Sequence, residues 1–268
     1  MSRRAAFNNI LAAIASNQNR FDAYCINLDG QSNCQGKSEK ELIPSPYNAL
    51  QPNNYILGYG ANPNGTNPKE ILEFTQLQPV TALGDFAGVE LSFAYDLSLI
   101  VGKPVFVVKT AQDATGFGNN NTGEWSPLGA LRQKSIDNIN IAKAYFEDNN
   151  LNVYWHSHWD QWEKDALSSS ASTNYASYWD IMYQNKIAKT GITFHSHTFQ
   201  KPNVNSLFYT LQPVNAAKIE EAINGFVETY TNTTIMDNDD QPFKADDVHY
   251  GAVANTIRGQ RLAATFNV

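Results

Sequence analysis

Cysteine and charge are both scarce in this sequence. The 268 residues include two cysteines, which are too few for a disulfide framework. Cys25 and Cys34 lie in and just after a short apolar run, which favours two buried thiols. Charged residues make up 17% of the chain, and 26 acidic against 19 basic side chains give a formal net charge of −7. This balance argues against non-specific binding to nucleic acid or to an anionic membrane.

Long apolar runs are also missing. Polar residues such as Asn8 and Asn9 interrupt the start of the chain, so we expect neither a signal peptide nor a transmembrane segment. The sequence predicts a soluble protein, either cytoplasmic or virion-associated, whose export would need another route. Within residues 1–20, apolar side chains from Phe7 to Ile14 recur at helical spacing and predict an amphipathic helix.

The remaining apolar pattern alternates strand-length runs with helix-length segments. The predicted strands span residues 23–28, 54–59, 105–108, 151–155 and 191–194. The predicted helices span about 88–97, 128–148, 174–189, 214–230 and 250–264. Such alternation implies right-handed crossovers and a parallel sheet covered on both faces. We therefore predict one α/β domain over residues 21–268, a three-layer α/β/α sandwich with a central parallel sheet of about five strands.

A glycine-flanked turn, Gly30–Gly36, follows the first predicted strand. A serine held there, Ser32, can expose its hydroxyl and direct its own backbone N–H at a substrate oxygen. Taken alone, Gly-Gln-Ser-Asn is better explained as an ordinary turn. Ligands of open parallel sheets bind at the carboxyl ends of the strands. The turn, the 110–125 loop and the segments after Trp155 and Phe194 are therefore predicted to surround one crevice.

Two further segments carry candidate chemistry. Asp246 precedes His249 by three residues just before the last predicted helix, so its carboxylate can orient the imidazole as a general base. The alternative is a capping Asp beside a surface His. Gln161 follows a predicted strand end, where its side-chain amide can donate to a developing oxyanion.

Four blocks in this order resemble the SGNH (GDSL-type) hydrolases, and among these the sialate O-acetylesterase and acetyl-xylan esterase branch. The blocks are Asp29–Asn33 (Asp-Gly-Gln-Ser-Asn), Gly88–Ala94 (Gly-x-Glu-x-x-Phe-Ala), Trp159–Asp165 (Trp-x-Gln-x-Glu-x-Asp) and Asp246–His249 (Asp-x-x-His). The resemblance extends over about residues 23–264 and implies the flavodoxin-like sandwich of that superfamily.

The resemblance implies a catalytic triad. Ser32 would be the nucleophile, His249 the general base and acid, and Asp246 the carboxylate that orients His249. The oxyanion hole would combine the Ser32 backbone N–H, a backbone N–H near Asp113 and the Gln161 side chain. Glu163 and Asp165 would support the site without reacting, and Trp162, Glu90 and His197 are predicted to bind substrate.

Two positions depart from the family pattern. Asp113-Ala114-Thr115 stands where the family has a Gly-Gly-Thr-like stretch, so a carboxylate is expected near a negatively charged transition state unless Gly116 takes over the donor role. Trp162 replaces the glycine of Gln-Gly-Glu, which narrows the pocket or adds a stacking face for a sugar ring.

The sequence also contains two His-x-His pairs, His156–His158 and His195–His197. On neighbouring strands they could converge on a metal ion and make a metal-dependent hydrolase. The alternative is that one member of each pair lines the crevice while the other is hydrogen-bonded beneath it. Because the serine mechanism needs no metal, we predict neither metal nor cofactor.

The function predicted from these patterns is a serine esterase that removes O-acetyl groups from a carbohydrate through an acyl-enzyme. The expected binding partner of the esterase is the acetylated carbohydrate, and we predict no binding to nucleic acid or to a membrane. The sequence is compatible with a homo-oligomer or a larger assembly. The alternative is a catalytically weakened carbohydrate-binding or virion structural module on the same fold. The two family departures favour it, as does a polar composition rich in Asn and Tyr, which is typical of bacteriophage particle proteins.

Overall fold

The computed structural model of this protein describes residues 20–61, 69–79 and 87–266. Its strands are β1 (Ala23–Gly30), β2 (Gln51–Ala61), β3 (Lys69–Leu77), β4 (Val105–Gln112), β5 (Val153–Asp160), β6 (Ser196–Gln200) and β7 (Thr233–Met236). They form one sheet in the order β3-β2-β4-β1-β5-β6-β7. Paired strands are parallel except β2 and β3, which run antiparallel at one edge.

Helices cover both faces of the sheet. They are α1 (Ser32–Gln35), α2 (Glu90–Val101), α3 (Ala130–Asp148), α4 (Glu163–Ala166), α5 (Ser169–Thr173), α6 (Tyr175–Thr190), α7 (Leu207–Leu211), α8 (Pro213–Thr229) and α9 (Ala252–Ala264). The apolar sides of α2 and α9 pack in one core, and those of α3, α6 and α8 pack in the other. The predicted α/β sandwich is therefore confirmed.

The central strand β1 explains where the site lies. All eight of its residues are buried, and it is bonded in parallel to β4 on one side and β5 on the other. Burial on both faces requires a nearly continuous apolar run, which is what the sequence shows at this position. The carboxyl end of β1 is thus the middle of the edge at which ligands of such sheets bind.

The strand prediction needs three corrections. The sheet has seven strands within the described residues, not about five. β3 was not predicted because it is an edge strand whose mostly half-exposed side chains carry little apolar signal, and β7 is only four residues long. The strand predicted at 191–194 begins later, at Ser196, because Gly191 ends α6 in the left-handed conformation and the next residues make the connection.

Other predictions have mixed outcomes. Both cysteines are free and buried, as predicted. The predicted amphipathic helix of residues 1–20 lies almost wholly outside the described residues. Among the helices that the structure describes, none combines the length and the apolar character needed to span a bilayer.

Gly30 is required by close packing between strands. A Cβ atom at this position would lie 2.1 Å from the carbonyl oxygen of Asp160 and 2.7 Å from the Cβ of Cys34. We predict that Gly30→Ala lowers the free energy of unfolding by about 3 kcal/mol or more, because backbone must move to admit the methyl group. Urea denaturation measures the change.

Gly225 provides the matched control, since it lies within α8 and a Cβ atom there meets nothing within 4 Å. Gly225→Ala is expected to raise stability by about 0.5 to 1 kcal/mol through helix propensity. Equal effects of the two substitutions would contradict the packing argument.

Candidate functional site

The Ser32 turn is set by its backbone connections. The N–H of Gln31 donates to the carbonyl of Asp160 at 3.2 Å, which ties the turn to the end of β5. The one-turn helix α1 follows and ends at Gly36, whose φ of 92° suits glycine. Ser32 therefore begins a helical turn directly at the carboxyl edge of the sheet, as the sequence predicted.

The loop before α9 holds an oriented imidazole. Nδ1 of His249 lies 2.7 Å from Oδ2 of Asp246, and the backbone N–H groups of Val248 and His249 donate to Oδ1 at 3.0 and 2.9 Å. Burial opposes ionisation of Asp246, but the bonds from His249 and Val248 outweigh it and lower the pKa of this carboxyl. With Nδ1 engaged, Nε2 of His249 is the nitrogen available to accept a proton.

Ser32 and His249 line the same cavity, which has a volume of about 230 Å³. The remaining lining residues come from the turn, the segment after β4, α4 and the residue after it, α7, and the loop of residues 244–250 that carries His249 (the His249 loop): Gln31, Asp113, Ala114, Glu163, Lys164, Leu167, Phe208 and Val248. The structure thus brings together the predicted nucleophile and base, with Asp246 behind the base. Among the described residues no hydrogen bond joins Ser32 Oγ to His249.

A buried carboxylate lies beneath the turn. Glu163 accepts hydrogen bonds from the side-chain amides of Gln31 and Asn33, the latter at 2.6 Å from Nδ2 to Oε1. Burial, together with the nearby charge of Asp160, raises the pKa of Glu163 to about 7. Glu163 therefore holds the turn, in agreement with the supporting role that the resemblance implies.

The predicted oxyanion hole needs correction. The backbone N–H of Asp113 donates to Oε1 of Gln35 at 3.1 Å. Gln161 is fully buried and outside the cavity lining, and its Nε2 donates to Thr115 O at 3.1 Å and Asp165 Oδ2 at 2.6 Å. These two predicted donors are thus already satisfied within the protein.

Other backbone donors remain at the cavity. Ser32 and Ala114 both line it, and neither backbone N–H has a hydrogen-bond partner among the described residues. Gly116, the alternative considered from sequence, donates instead to Oε2 of Glu124 at 3.2 Å. These two N–H groups can therefore donate to an oxygen atom of a molecule in the cavity.

The Asp113 carboxylate is paired. Its Oδ2 lies 2.8 Å from Nζ of Lys37, and both side chains are largely buried. This pairing offsets the negative charge that the sequence places beside the cavity.

The predicted substrate-binding residues lie elsewhere. Trp162 is buried in the core on the side of the sheet that α3, α6 and α8 cover, so the prediction that it faces the crevice is wrong. Glu90 is fully buried and forms an ion pair with Lys109 at 2.8 Å. His197 is buried beneath α6, where its Nε2 meets the Tyr183 hydroxyl at 3.1 Å. None of the three lines the cavity, because each side chain is buried among partners elsewhere in the protein.

The two His-x-His pairs do not converge. His156 and His158 point to the α9 side of the sheet, where His156 contacts Phe266. His197 lies on the opposite face, in contact with Trp179 and Tyr183 of α6. No group of three or more metal-ligating side chains occurs within residues 20–61, 69–79 and 87–266. The hypothesis of a metal centre built from both pairs therefore has no geometric support.

Sequence reasoning missed the apolar wall of the cavity. Leu167 follows α4, and Phe208 belongs to α7, a helix of five residues that is too short to show a periodic signal. A larger cavity of about 710 Å³ lies between α6 and α8, away from the strand ends. It contains neither Ser32 nor His249, so it is not the catalytic candidate.

The sequence matches no family model and no curated protein. Solved structures do share the fold. An Arabidopsis thaliana protein, AT4G34215, aligns with a TM-score of 0.69 and 17% identity over 91% of this chain and 97% of its own. NanS aligns with a TM-score of 0.63 and 13% identity over 91% of this chain and 97% of its own. XAC1771, a carbohydrate acetylesterase from Xanthomonas citri, aligns with a TM-score of 0.56 and 16% identity over 91% of this chain and 55% of its own. At these identities the likeness is one of fold.

His197 provides a test of its structural role. Burial, together with the charge of Lys186, lowers the pKa of His197 to about 4, whereas the unfolded side chain titrates near 6.5. Between these values only the unfolded state binds the proton, so the stabilisation is present above about pH 6.5 and is lost as the pH falls. The wild type therefore loses stability between pH 7.5 and pH 5 as His197 resists protonation. We predict that His197→Gln loses about 2 kcal/mol less free energy of unfolding over the same pH range, because glutamine does not titrate.

Denaturant unfolding of both proteins at the two pH values measures how much the free energy of unfolding changes with pH in each. The contributions of the other titrating groups are the same in both proteins and cancel when the two changes are subtracted. Because His197 lies outside the cavity, the KM for any substrate at pH 7.5 is expected to be unchanged. An identical pH dependence in the two proteins would contradict the buried neutral imidazole, and a raised KM would restore its predicted substrate contact.

Proposed function

We propose that this chain is a serine esterase of the SGNH type that removes acetyl groups from a carbohydrate. The observation that carries the proposal is the shared cavity, in which Ser32 and a His249 oriented by Asp246 stand at the carboxyl edge of the sheet. The sequence blocks around these residues support the same family. The carbohydrate is suggested by XAC1771, whose fold this chain shares.

The mechanism follows from the donors and acceptors at the cavity. Ser32 Oγ attacks the acetyl carbonyl while Nε2 of His249 takes the hydroxyl proton. The N–H groups of Ser32 and Ala114 stabilise the oxyanion that forms on the carbonyl oxygen. His249 then returns the proton to the sugar oxygen, which leaves as an alcohol and yields an acetyl-enzyme. Water, deprotonated by His249, attacks this ester; His249 then returns the proton to Ser32 Oγ as the ester bond breaks, which releases acetate and restores the free Ser32 hydroxyl.

Removal of the nucleophile or the base tests the proposal. We predict that Ser32→Ala lowers hydrolysis of an aryl acetate by about 10³-fold or more, and that His249→Ala lowers kcat by about 10²- to 10⁴-fold. Initial rates of aryl acetate hydrolysis and of acetate release from acetylated oligosaccharides provide the measurement.

Ser169→Ala is the matched control, because this exposed serine at the start of α5 lies outside the cavity. It should retain the wild-type rate. Unchanged hydrolysis in Ser32→Ala would refute the esterase mechanism.

A second candidate function is a carbohydrate-binding or virion structural module with weakened catalysis. It is favoured by the two predicted oxyanion donors that are already satisfied, Asp113 N–H and the Gln161 amide. This candidate predicts tight glycan binding with no acetate release. Labelling of Ser32 by a fluorophosphonate would count against it, because labelling requires an activated hydroxyl.

The apolar wall of the cavity predicts a preference for short acyl groups. Phe208 and Leu167 lie with Ala114 and Val248 around the small space beside Ser32. We predict that Phe208→Ala raises the ratio of kcat/KM for an aryl butyrate to that for an aryl acetate by about 10-fold, since burial of extra methylene groups becomes possible.

Leu211→Ala is the control from the same helix, because Leu211 is 59% exposed and does not line the cavity. Its ratio should equal that of the wild type. If Phe208→Ala also left the ratio unchanged, Phe208 would not limit the acyl group.

A further inference from the structure

Asn33, the residue after Ser32, contacts the chain on both sides of His249. Its Oδ1 accepts a hydrogen bond from the backbone N–H of Tyr250 at 3.3 Å. Its Nδ2 donates to the backbone carbonyl of Val248 at 3.1 Å. One side-chain amide thus joins the nucleophile turn to the residues that precede and follow the imidazole.

Glu163 fixes the orientation of that amide. Oε1 of Glu163 accepts the second hydrogen of Asn33 Nδ2 at 2.6 Å, while Oε2 accepts from the side chain of Gln31. Both donor hydrogens of Asn33 and its acceptor oxygen are therefore used, so the amide has one favourable orientation. The same carboxylate holds the residue before Ser32 and the residue after it.

Burial makes these contacts hard to replace with water. Asn33 and Glu163 are each 2% exposed. The His249 loop is different, because the Asp246 side chain is 46% exposed and Asp247 is also exposed. Other bonds to this loop come from the Leu207 N–H, Asn203 and Asn255, none of which belongs to the Ser32 turn. Lys244, whose N–H donates to the His249 carbonyl, also donates from Nζ to the carbonyl of Lys37, one residue after the turn, at 3.2 Å.

We propose that Asn33 is a positioning residue that sets the place of His249 relative to Ser32, with Glu163 orienting its amide. This inference rests on the proposed esterase function and extends it. Proton transfer from Ser32 to His249 depends steeply on their separation, and a displacement of about 1 Å can cost about 10²-fold in rate. Asn33 acts through His249 and does not touch the reacting atoms.

A double-mutant cycle tests this dependence. Asn33→Ala is expected to lower kcat for an aryl acetate by about 10²-fold with KM unchanged within about twofold. In a His249→Ala background the same substitution should cost less than about threefold, because the group that it positions is gone. A role limited to general stability would lower the rate by the same factor in both backgrounds, and that result would overturn the proposal.

Glu163→Gln is the second variant, which keeps Asn33 in place and is nearly isosteric. It puts an amide donor against the donors of Gln31 and Asn33, so one bond is lost. We expect a smaller fall in kcat, again absent in the His249→Ala background. A fall of equal size in both backgrounds would overturn the role of Glu163. If Asn33→Ala failed to fold, that same result would overturn the positioning proposal.

Asn138→Ala is the matched control for loss of a buried amide, since Asn138 of α3 donates to Thr110 Oγ1 at 2.9 Å and lies outside the cavity. Its kcat should equal that of the wild type. Hydrogen exchange of the Tyr250 amide gives a readout without turnover, and it should speed up in Asn33→Ala but not in Asn138→Ala. Unchanged exchange in Asn33→Ala would overturn the contact itself, whereas unchanged hydrolysis in Ser32→Ala would overturn the esterase function.

Discussion

Two buried cations hold the backbone of the Ser32 turn. Nζ of Lys109 donates to the carbonyl of Gln35 at 2.7 Å and is paired with Glu90, while Arg258 donates to the carbonyl of Asn33 at 3.4 Å and is paired with Asp160. A helix of one turn leaves its carbonyls without intrahelical partners, so these bonds replace what a longer helix would supply. Because each cation is itself fully buried and paired, the position of α1 is tied to β4, β5, α2 and α9 at once.

This arrangement gives the buried charges a role that stability alone does not explain. Removing both members of a buried ion pair in favour of apolar residues is often neutral for stability, whereas removing one member costs several kcal/mol, about 3 to 5. Here each pair carries a hydrogen bond to the turn in addition to its ionic contact. Glu90, expected from sequence to bind substrate, therefore acts through Lys109 on the backbone that presents Ser32.

Local contacts also compensate for the two positions at which the sequence departs from the SGNH pattern that it resembles. Ala114 has a φ of 59°, in the left-handed region that favours glycine, so the backbone keeps the course that a glycine would allow at some cost in strain. Lys37 pairs with Asp113 and offsets its negative charge beside the cavity. The side-chain amide of Gln161 donates to Thr115 and Asp165. This predicted oxyanion donor therefore stabilises the loop that carries Ala114.

The sequence by itself determined the α/β class and most of the longer helices and strands, because these depend on local apolar periodicity that is readable along the chain. The grouping of Ser32 with Asp246 and His249 came from the order of four sequence blocks that resemble the SGNH hydrolases, since Gly-Gln-Ser-Asn and Asp-x-x-His taken alone are better explained as a turn and a helix cap. Only the tertiary structure decided the edge strands and the direction in which Trp162, Gln161, Glu90 and His197 face. It also decided that Asn33 contacts the residues on both sides of His249, 215 and 217 positions along the chain. The physical reason is that the orientation of a buried polar side chain depends on hydrogen-bond and ionic partners from other helices and strands. A local sequence pattern does not show which distant residue will be that partner.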